Sequence, residues 1–281
     1  MKIIFLSFAD TRYHTSLERL KVEVDSFPFT DKYFLTENDL PEDFRKSLNY
    51  KKYRRGFGYW KWKSFIVKSQ LENMDIGDIL FYSDAGIHWN IKGLRRFYNY
   101  IDLITNNNNG DILAFQEPFI EKDWTKGDLL NYLDSYNDLN IVSTWQLWGG
   151  VFAIRKSEES MQAIGKWYDL CKNKFYLITD KESATPNLYG FIEHRHDQSA
   201  FSVIIKHYNH IEIPWTETNV LKKEDWSKMN YYPIHARRTI KDELPLTSRV
   251  KKLFVKPYAI LVGQYLKYFE HFEFKNKYPS F

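Results

Sequence analysis

The chain alternates between short apolar runs and longer stretches whose apolar residues recur with a helical period. Apolar runs at 2–8, 31–36, 79–82, 111–115, 151–154 and 210–214 predict strands. Helical repeats over 15–24, about 59–71, 92–104, about 125–136, 157–171 and 199–206 predict helices between them. The β-α-β order at the start predicts a mostly parallel sheet with right-handed crossovers and helices on its faces. Thr125 and Ser157 are the candidate N-caps of the two helices that follow them.

The run Ile79–Tyr82 is the clearest strand, because it is apolar throughout and follows a Gly-Asp turn signal. Such a run indicates a strand that is buried on both faces. It ends in Ser83-Asp84-Ala85-Gly86, which delivers one carboxylate to the carboxyl end of a strand, where open α/β sheets bind ligands. The alternative is that Asp84 caps a helix or a turn.

Composition narrows the class of protein. The net charge of +4 is concentrated at the end, because residues 249–281 carry seven Lys or Arg and two Glu. A nucleic-acid-binding core is therefore not expected. The single cysteine, Cys171, fits a reducing compartment, and no apolar run reaches the roughly 18 residues of a membrane helix. These features predict a cytoplasmic protein.

Residues 55–63 combine Arg55, two glycines, two tryptophans and Lys63 where a loop passes into a helix. Cations beside a helix N-terminus suit a bound phosphate, and the alternative is a surface helix with solvated cations. Downstream, Gly149-Gly150 would let a ligand approach the backbone closely, or would form an ordinary bulge. The charged run 193–197 directly precedes an apolar helix, which argues against a simple solvated loop.

Taken in order, these motifs are Gly-Tyr-Trp-x-Trp-Lys63, Tyr82-x-Asp84-Ala-Gly86, Trp124-Thr-Lys126-x-Asp128, Gly149-Gly150, Asp197-Gln198-Ser199 and a late His235. Together they resemble a group of bacterial glycosyltransferases with the GT-A fold that build capsule, lipooligosaccharide and other surface glycans. The resemblance runs from Met1 to about Arg238. It implies a GT-A domain over residues 1–245 and transfer of a hexose, such as galactose, from a uridine diphosphate (UDP) sugar.

The resemblance also implies roles for particular residues. Asp84 matches the first carboxylate of the metal-binding Asp-x-Asp element, but Gly86 stands where the second Asp would be. Mn²⁺ or Mg²⁺ would then be held by Asp84, with His235 as a second ligand or as a packed strand-end histidine. If Asp84 binds ribose hydroxyls instead, the diphosphate would rest on Arg55, Lys63, Arg237 or Arg238. The donor site implied as a whole comprises Ala9, Asp10, Arg55, Lys63, Tyr82, Asp84, Ala85, Gly86, Gly149 and Gly150.

Asp197 and Gln198 match a pair that lies beneath the transferred sugar in some retaining GT-A families, so a retaining reaction is favoured. Asp197 would bind sugar hydroxyls, and the Gln198 carbonyl would stabilise a positively charged anomeric centre. An inverting reaction would need a general base, for which Asp197, Glu193, Asp128 and Glu117 are the candidates. Trp124, Lys126, Asp128 and Trp148 would face the acceptor.

The last segment, residues 246–281, interleaves aromatic and basic residues at helical spacing. It predicts a C-terminal helical extension that either packs on the domain or lies on the inner membrane, where a lipid-linked glycan acceptor would be found.

Two other classes of protein stay open. A sugar nucleotidyltransferase would carry a glycine-rich loop after the first strand, and residues 7–12 have no glycine. A non-catalytic glycan-binding module would explain the 18% aromatic residues, but it has no use for Asp84 or the Asp197-Gln198 pair.

Overall fold

A computed structural model describes residues 1–106, 109–220 and 223–237 of the chain. Within them, six strands form one sheet in the order β2-β1-β3-β6-β5-β7, and β4 pairs with β8 in a small second sheet. The strands are β1 (Ile3–Phe8), β2 (Asp31–Leu35), β3 (Ile79–Ser83), β4 (His88–Trp89), β5 (Ile112–Ile120), β6 (Trp145–Arg155), β7 (Ile211–Ile213) and β8 (Ile234–His235).

The large sheet is mostly parallel, as predicted. Strand β1 runs parallel to both β2 and β3, and β5 runs parallel to β7. Strand β6 is antiparallel to both of its neighbours, β3 and β5. The carboxyl ends of β1 and β3 therefore lie side by side at one edge of the sheet, which is where the predicted donor residues follow them.

Helices cover both faces of this sheet. They are α1 (His14–Asp25), α2 (Glu42–Ser47), α3 (Gly56–Tyr59), α4 (Lys61–Glu72), α5 (Leu94–Thr105), α6 (Glu121–Trp124), α7 (Gly127–Tyr132), α8 (Leu139–Val142), α9 (Glu158–Asn173) and α10 (Asp197–Ile205). Ser157 caps α9 as predicted, in a capping box with Ser160.

Two apolar clusters separate along the strands because successive side chains point to opposite faces. On β3, Leu80 and Tyr82 pack with residues of α4, α9 and α10, whereas Ile79 and Phe81 pack with residues of α1 and α5. All four side chains are fully buried. The prediction that this strand is buried on both faces is confirmed, and Asp84 therefore follows a rigid central strand.

The helix predicted over residues 125–136 is present but shorter, because α7 covers only Gly127–Tyr132, and the prediction of Thr125 as its N-cap was wrong. Thr125 lies between α6 and α7 and does not cap α7, whose N-cap residue is Lys126. The Thr125 hydroxyl donates to the Glu121 carboxylate at 2.5 Å, which draws it inward. The two glycines 149 and 150 also differ from expectation, because they lie inside β6 instead of preceding a strand.

Five consecutive residues, 56–60, have left-handed backbone angles and form α3 as a single left-handed turn. Phe57, Tyr59 and Trp60 adopt this conformation without being glycine, at a cost of roughly 1–2 kcal/mol each. The Trp62 indole donates to the Gly56 carbonyl at 3.0 Å and helps to hold the turn. Helix α4 thus begins at Lys61, two residues later than expected, and Lys63 falls in its first turn.

Within the described part of the chain, no helix is long and apolar enough to cross a membrane. The predicted domain boundary near residue 245, Arg238 and the predicted C-terminal helical extension lie outside the described residues.

Candidate active site

The predicted donor-binding residues of β1 and β3 meet at one edge of the sheet. Ala9, directly after β1, packs against Ala85, the second residue after β3. Asp10 is buried and binds Arg12 through its carboxylate, and it also accepts from the Arg12 backbone N–H at 3.0 Å. The Asp84 N–H donates to the Gly150 carbonyl of the neighbouring strand at 2.8 Å. Residues that are far apart in sequence are thereby brought to one place.

Lys63 is the centre of this site. Its ammonium lies 3.1 Å from Asp84 Oδ1, 3.2 Å from Asp197 Oδ2 and 2.9 Å from the Gly149 carbonyl. Its side chain is only 3% exposed, and that of Asp197 is 6% exposed. The contact with the Gly149 carbonyl is a hydrogen bond, and the contacts with the two carboxylates are ion pairs. We call Asp84, Lys63 and Asp197 the ion triad.

Charges in the ion triad shift one another's pKa. Burial alone would lower the pKa of Lys63, but Asp197 and Asp84 outweigh burial and raise it. Burial raises the pKa of Asp197 to about 6, against the opposing attraction of Lys63. Burial and the nearby Asp84 carboxylate raise the pKa of Tyr82 well above its usual range, so its hydroxyl stays protonated and donates to Asp84 Oδ1 at 2.6 Å.

Asp84 is the accessible member of the ion triad, because its side chain is 35% exposed. It caps no helix. Its carbonyl accepts from Ile87 in a short turn, while its carboxylate is held by Tyr82 and Lys63. A carboxylate that is fixed from behind and open at the front can accept hydrogen bonds from ligand hydroxyl groups.

Gln198, at the start of α10, lies against the glycine pair. The Gly149 N–H donates to Gln198 Oε1 at 3.3 Å, and a Cβ on Gly149 would lie 3.2 Å from Gln198 Cα and Cβ. A Cβ on Gly150 would lie 2.6 Å from the Trp148 indole nitrogen. A side chain at position 150 would therefore clash with Trp148, whereas one at position 149 would require Gln198 to shift by a few tenths of an ångström. Trp148, predicted to stack on a sugar, is 8% exposed and packs largely against protein.

Among the described residues, the ion pairs of Arg55 are with acidic residues outside the ion triad. Its guanidinium pairs with Asp180 at 3.2 Å and with Glu193 at 2.9 Å. The left-handed turn that follows it reaches the start of α10, because Trp60 stacks on His196 with ring centroids 5.6 Å apart. Arg55 therefore links this turn to the loop that precedes Asp197, and its predicted contact with phosphate stays a prediction.

The charged run before α10 is largely buried, and not a solvated loop. His194 and His196 are 6% and 2% exposed. Burial lowers the pKa of His196 to about 4, so its ring is neutral at physiological pH. The backbone of His196 is left-handed, with φ of 56°, which turns the chain sharply into Asp197. Backbone strain of this kind is common at functional sites, where it holds a side chain in a required orientation, as for Asp197 here.

Two of the residues predicted to face the acceptor, Lys126 and Asp128, bind the backbone of the loop over residues 176–187. The Lys126 ammonium donates to the carbonyls of Tyr176, Thr179 and Lys181, and burial lowers its pKa to about 8. Asp128 accepts from the backbone of residues 184 and 185. Trp124 lies under the Arg195 guanidinium, 4.5 Å from the ring centroid.

A cavity of about 420 Å³ opens beside this loop. Its lining is mostly polar and comprises Lys126, Thr179, Asp180, Lys181, Glu182, Ser183, Asn187, Phe191, Glu193 and His194. The acceptor role of Trp124, Lys126, Asp128 and Trp148 stays a prediction.

The donor set does not fit a metal ion shared by the two carboxylates, because the Lys63 ammonium already lies between them. His235 uses Nε2 to contact the carbonyls of Met229 and Tyr232, at 3.0 and 3.1 Å. The described residues contain no group of three or more His, Cys, Asp or Glu side chains arranged to hold a metal. Binding of Mn²⁺ or Mg²⁺ by Asp84 and His235 stays a prediction, which chelation of the purified protein would test.

Sequence reasoning missed a group of buried polar residues behind Gln198. Gln146 is fully buried, accepts from Gln198 Nε2 at 2.7 Å and donates to Glu121 Oε1 at 3.0 Å. Glu121 is also fully buried and pairs with Lys206 at 2.7 Å. The available signal was a lone glutamine inside an otherwise apolar strand, three residues before the glycine pair.

Comparisons with known proteins give structural likeness only. No protein-family profile matches the sequence, and no curated protein matches it as a relative. A solved glycosyltransferase involved in glycosylation of the major capsid of PBCV-1 is 11% identical, with a TM-score of 0.49, over 91% of this chain and 100% of that one.

Two further solved structures show weaker likeness. The galactosyltransferase LgtC, solved with donor and acceptor sugar analogs, is 12% identical with a TM-score of 0.43, over 87% of this chain and 81% of its own. Mouse xyloside xylosyltransferase 1 is 12% identical with a TM-score of 0.42, over 87% and 86% of the two chains.

Proposed function

We propose that this protein is a GT-A type glycosyltransferase that moves a hexose from a UDP-sugar to a hydroxyl group of a surface glycan or lipid-linked glycan. The observation that carries the proposal is the ion triad with Gln198 and Gly149 at the carboxyl ends of β1 and β3. A glycan-binding module would give no role to a buried lysine that ties an exposed carboxylate to a buried one.

In the proposed reaction, the bond between the anomeric carbon and the diphosphate oxygen breaks, and a bond to the acceptor oxygen forms. The acceptor hydroxyl loses its proton, and the diphosphate leaves with the bonding electron pair. On the retaining route, that proton passes to the departing diphosphate on the same face of the sugar. The protein then contributes by holding the two substrates in place and by stabilising charge.

Each residue of the site has a part in this scheme. Asp84, exposed and fixed by Tyr82, binds donor hydroxyls. Asp197, buried beneath the site, binds hydroxyls of the transferred sugar. Gln198 offers its carbonyl oxygen to the positive charge that develops at the anomeric carbon. Lys63 keeps both carboxylates together and compensates one of their two negative charges, which weakens their repulsion of the diphosphate.

The proposal is tested by release of UDP from a panel of UDP-sugars, together with the melting temperature in the presence of UDP. We expect one sugar to be consumed and UDP to raise the melting temperature, since a ligand that binds only the native state stabilises it. Asp84→Ala should weaken UDP-sugar binding roughly 10- to 100-fold, because a charged hydrogen bond contributes about 1.5–3 kcal/mol. Asp43→Ala, at an exposed position of helix α2, is the control.

Lack of any release from the panel, with no shift in melting temperature by any nucleotide, would contradict a transferase. It would bring back the glycan-binding module as the explanation for the aromatic content.

The proposed role of Asp197 predicts a pH dependence. If the ionised carboxylate binds the sugar, kcat/KM should fall as the pH falls through about 6, the raised pKa of Asp197. The same carboxylate should make the folded state less stable as the pH rises. Asp197 ionises at a lower pH in the unfolded chain than in the folded protein. The free-energy cost of the buried charge is therefore absent below the unfolded pKa and reaches its full value above about pH 6. The measurement is kcat/KM against pH for wild type and Asp197→Asn. An acid limb that is unchanged in the variant would assign it to another group.

A further inference from the structure

A chain of four buried or half-buried polar side chains runs from the interior of the protein to the proposed site. Lys206 Nζ contacts Glu121 Oε2 at 2.7 Å, Gln146 Nε2 donates to Glu121 Oε1 at 3.0 Å, and Gln198 Nε2 donates to Gln146 Oε1 at 2.7 Å. The Gly149 N–H then donates to Gln198 Oε1 at 3.3 Å. The first three side chains are 4% exposed or less, and only Gln198 reaches the site.

The two ends of this chain determine the direction of both amides. Glu121 is a carboxylate and can only accept, so Gln146 must turn its NH₂ group toward it. The Gln146 oxygen then faces Gln198, which must donate a hydrogen bond to it from its own NH₂ group. The Gln198 oxygen consequently faces the Gly149 N–H, which can only donate. A flip of either amide would bring two donors or two acceptors together.

The carboxylate at the buried end is itself firmly held. Thr125 donates to Glu121 Oε1 at 2.5 Å, and Ser202 makes a short hydrogen bond to Glu121 Oε2. Gln146 Nε2 also lies 3.2 Å from the oxygens of Thr125 and Ser199. A buried Lys-Glu pair is an expensive way to fill a core, since apolar residues of the same volume often stabilise a fold as well or better. Here the pair fixes which way the side-chain amides of Gln146 and Gln198 point.

We propose that Glu121 and Gln146 are positioning residues that fix the carboxamide of Gln198 with its oxygen toward Gly149 and the transferred sugar. The proposal rests on the proposed transferase function for its effect on catalysis. Neither residue touches substrate, and each acts through Gln198. The oxygen has two lone pairs and Gly149 uses one, which leaves the second to accept from or stabilise the transferred sugar.

Glu121→Gln tests the proposal because it should reverse the donor-to-acceptor direction of the hydrogen bonds that link Gln146, Gln198 and Gly149. Lys206 can only donate, so the new amide must turn its oxygen toward Lys206 and its NH₂ group toward Gln146. Gln146 and then Gln198 must flip, which sets the Gln198 NH₂ group against the Gly149 N–H. We expect kcat to fall roughly 10- to 100-fold with a smaller change in KM.

The double variant Glu121→Gln/Gln146→Glu restores the direction. The amide at 121 donates to the carboxylate at 146, whose other oxygen accepts from Gln198. We expect kcat to recover to within a few-fold of wild type, although the buried charge has moved away from Lys206. If these residues served only the core, the double variant would be worse than the single one, and that result would overturn the proposal.

A second readout does not depend on activity. The side-chain NH₂ signals of Gln198 in a ¹⁵N NMR spectrum, assigned by their loss in Gln198→Glu, should move in Glu121→Gln and return in the double variant. Gln146→Met is a second variant, for the case in which Glu121→Gln does not fold. It removes the link to Gln198 but leaves Thr125, Ser202 and Lys206 in contact with Glu121. It should also move these signals and lower kcat.

Signals that do not move in either variant would overturn the proposal, as would a kcat that stays low when the signals have returned. If wild type consumes no nucleotide sugar, the proposed function fails by itself, and the NMR signals still decide whether Glu121 and Gln146 set the direction of Gln198.

Discussion

Replacing Asp197 by asparagine should lower kcat for sugar transfer on the order of 100- to 1000-fold at neutral pH, the usual effect of removing one electrostatic group from an active site. The substitution keeps the shape of the side chain but removes the negative charge that lies 3.2 Å from Lys63. The fold should tolerate it, because burial already disfavours the charged form of this side chain. Steady-state kinetics and thermal unfolding of the same preparation would measure both effects.

Asp102→Asn is the matched control, since Asp102 is an exposed residue of helix α5. Its kinetics and melting temperature should equal those of wild type. A fully active Asp197→Asn enzyme would remove Asp197 from the mechanism and leave Asp84 as the only carboxylate of the ion triad with a proposed contact to substrate. An Asp197→Asn protein that does not fold would instead show that the charge is needed for stability.

The sheet and most of its helices follow from local sequence pattern. Apolar runs such as Ile79–Tyr82 are buried on both faces, and the N-cap Ser157 is where the pattern places it. The prediction failed at Thr125, whose hydroxyl binds the buried Glu121 carboxylate, so that α7 begins at Gly127 with Lys126 as its N-cap residue. That contact is decided by tertiary packing, which the helical period of the sequence does not record.

The site divides in a similar way. Asp84 could be placed at a strand end, and Asp197-Gln198 at a helix start, because both positions are marked by local pattern. The sequence also indicated Lys63 as a cation beside this site, but its neighbours are Gly149 and Asp197, which lie 86 and 134 positions further along the chain. Contacts over such distances depend on how α4 and α10 pack on the sheet. The left-handed turn at 56–60 was hidden for a related reason, since Tyr59 and Trp60 have no intrinsic preference for it.

Lys63→Met should destabilise the protein by about 3–5 kcal/mol at neutral pH, the usual effect of removing one partner from a buried ion pair. Methionine fills a similar volume, so the loss reports the charge that would have compensated Asp84 and Asp197. Urea unfolding would measure it. Lys68→Met on the same helix is the matched control, because Lys68 lies at the partly exposed surface, where it pairs with Glu72 one turn away and lies over the Tyr168 ring. A helical surface pair of this kind is worth roughly 0.3–0.5 kcal/mol.

Asp197 also predicts how the loss in Lys63→Met depends on pH and on a second substitution. Without the attraction of Lys63, the pKa of Asp197 should rise above its present value of about 6. The carboxyl is then neutral at about pH 5 and charged without compensation at higher pH, so the variant should lose less stability in the acid than at neutral pH. Lys63→Met/Asp197→Asn should recover part of the loss at neutral pH, because the neutral amide no longer needs the ammonium. If the two substitutions add up instead, or if Lys63→Met unfolds no more easily than Lys68→Met, the ion triad does not hold the site together, and Lys63 is then free to act on the donor phosphate directly.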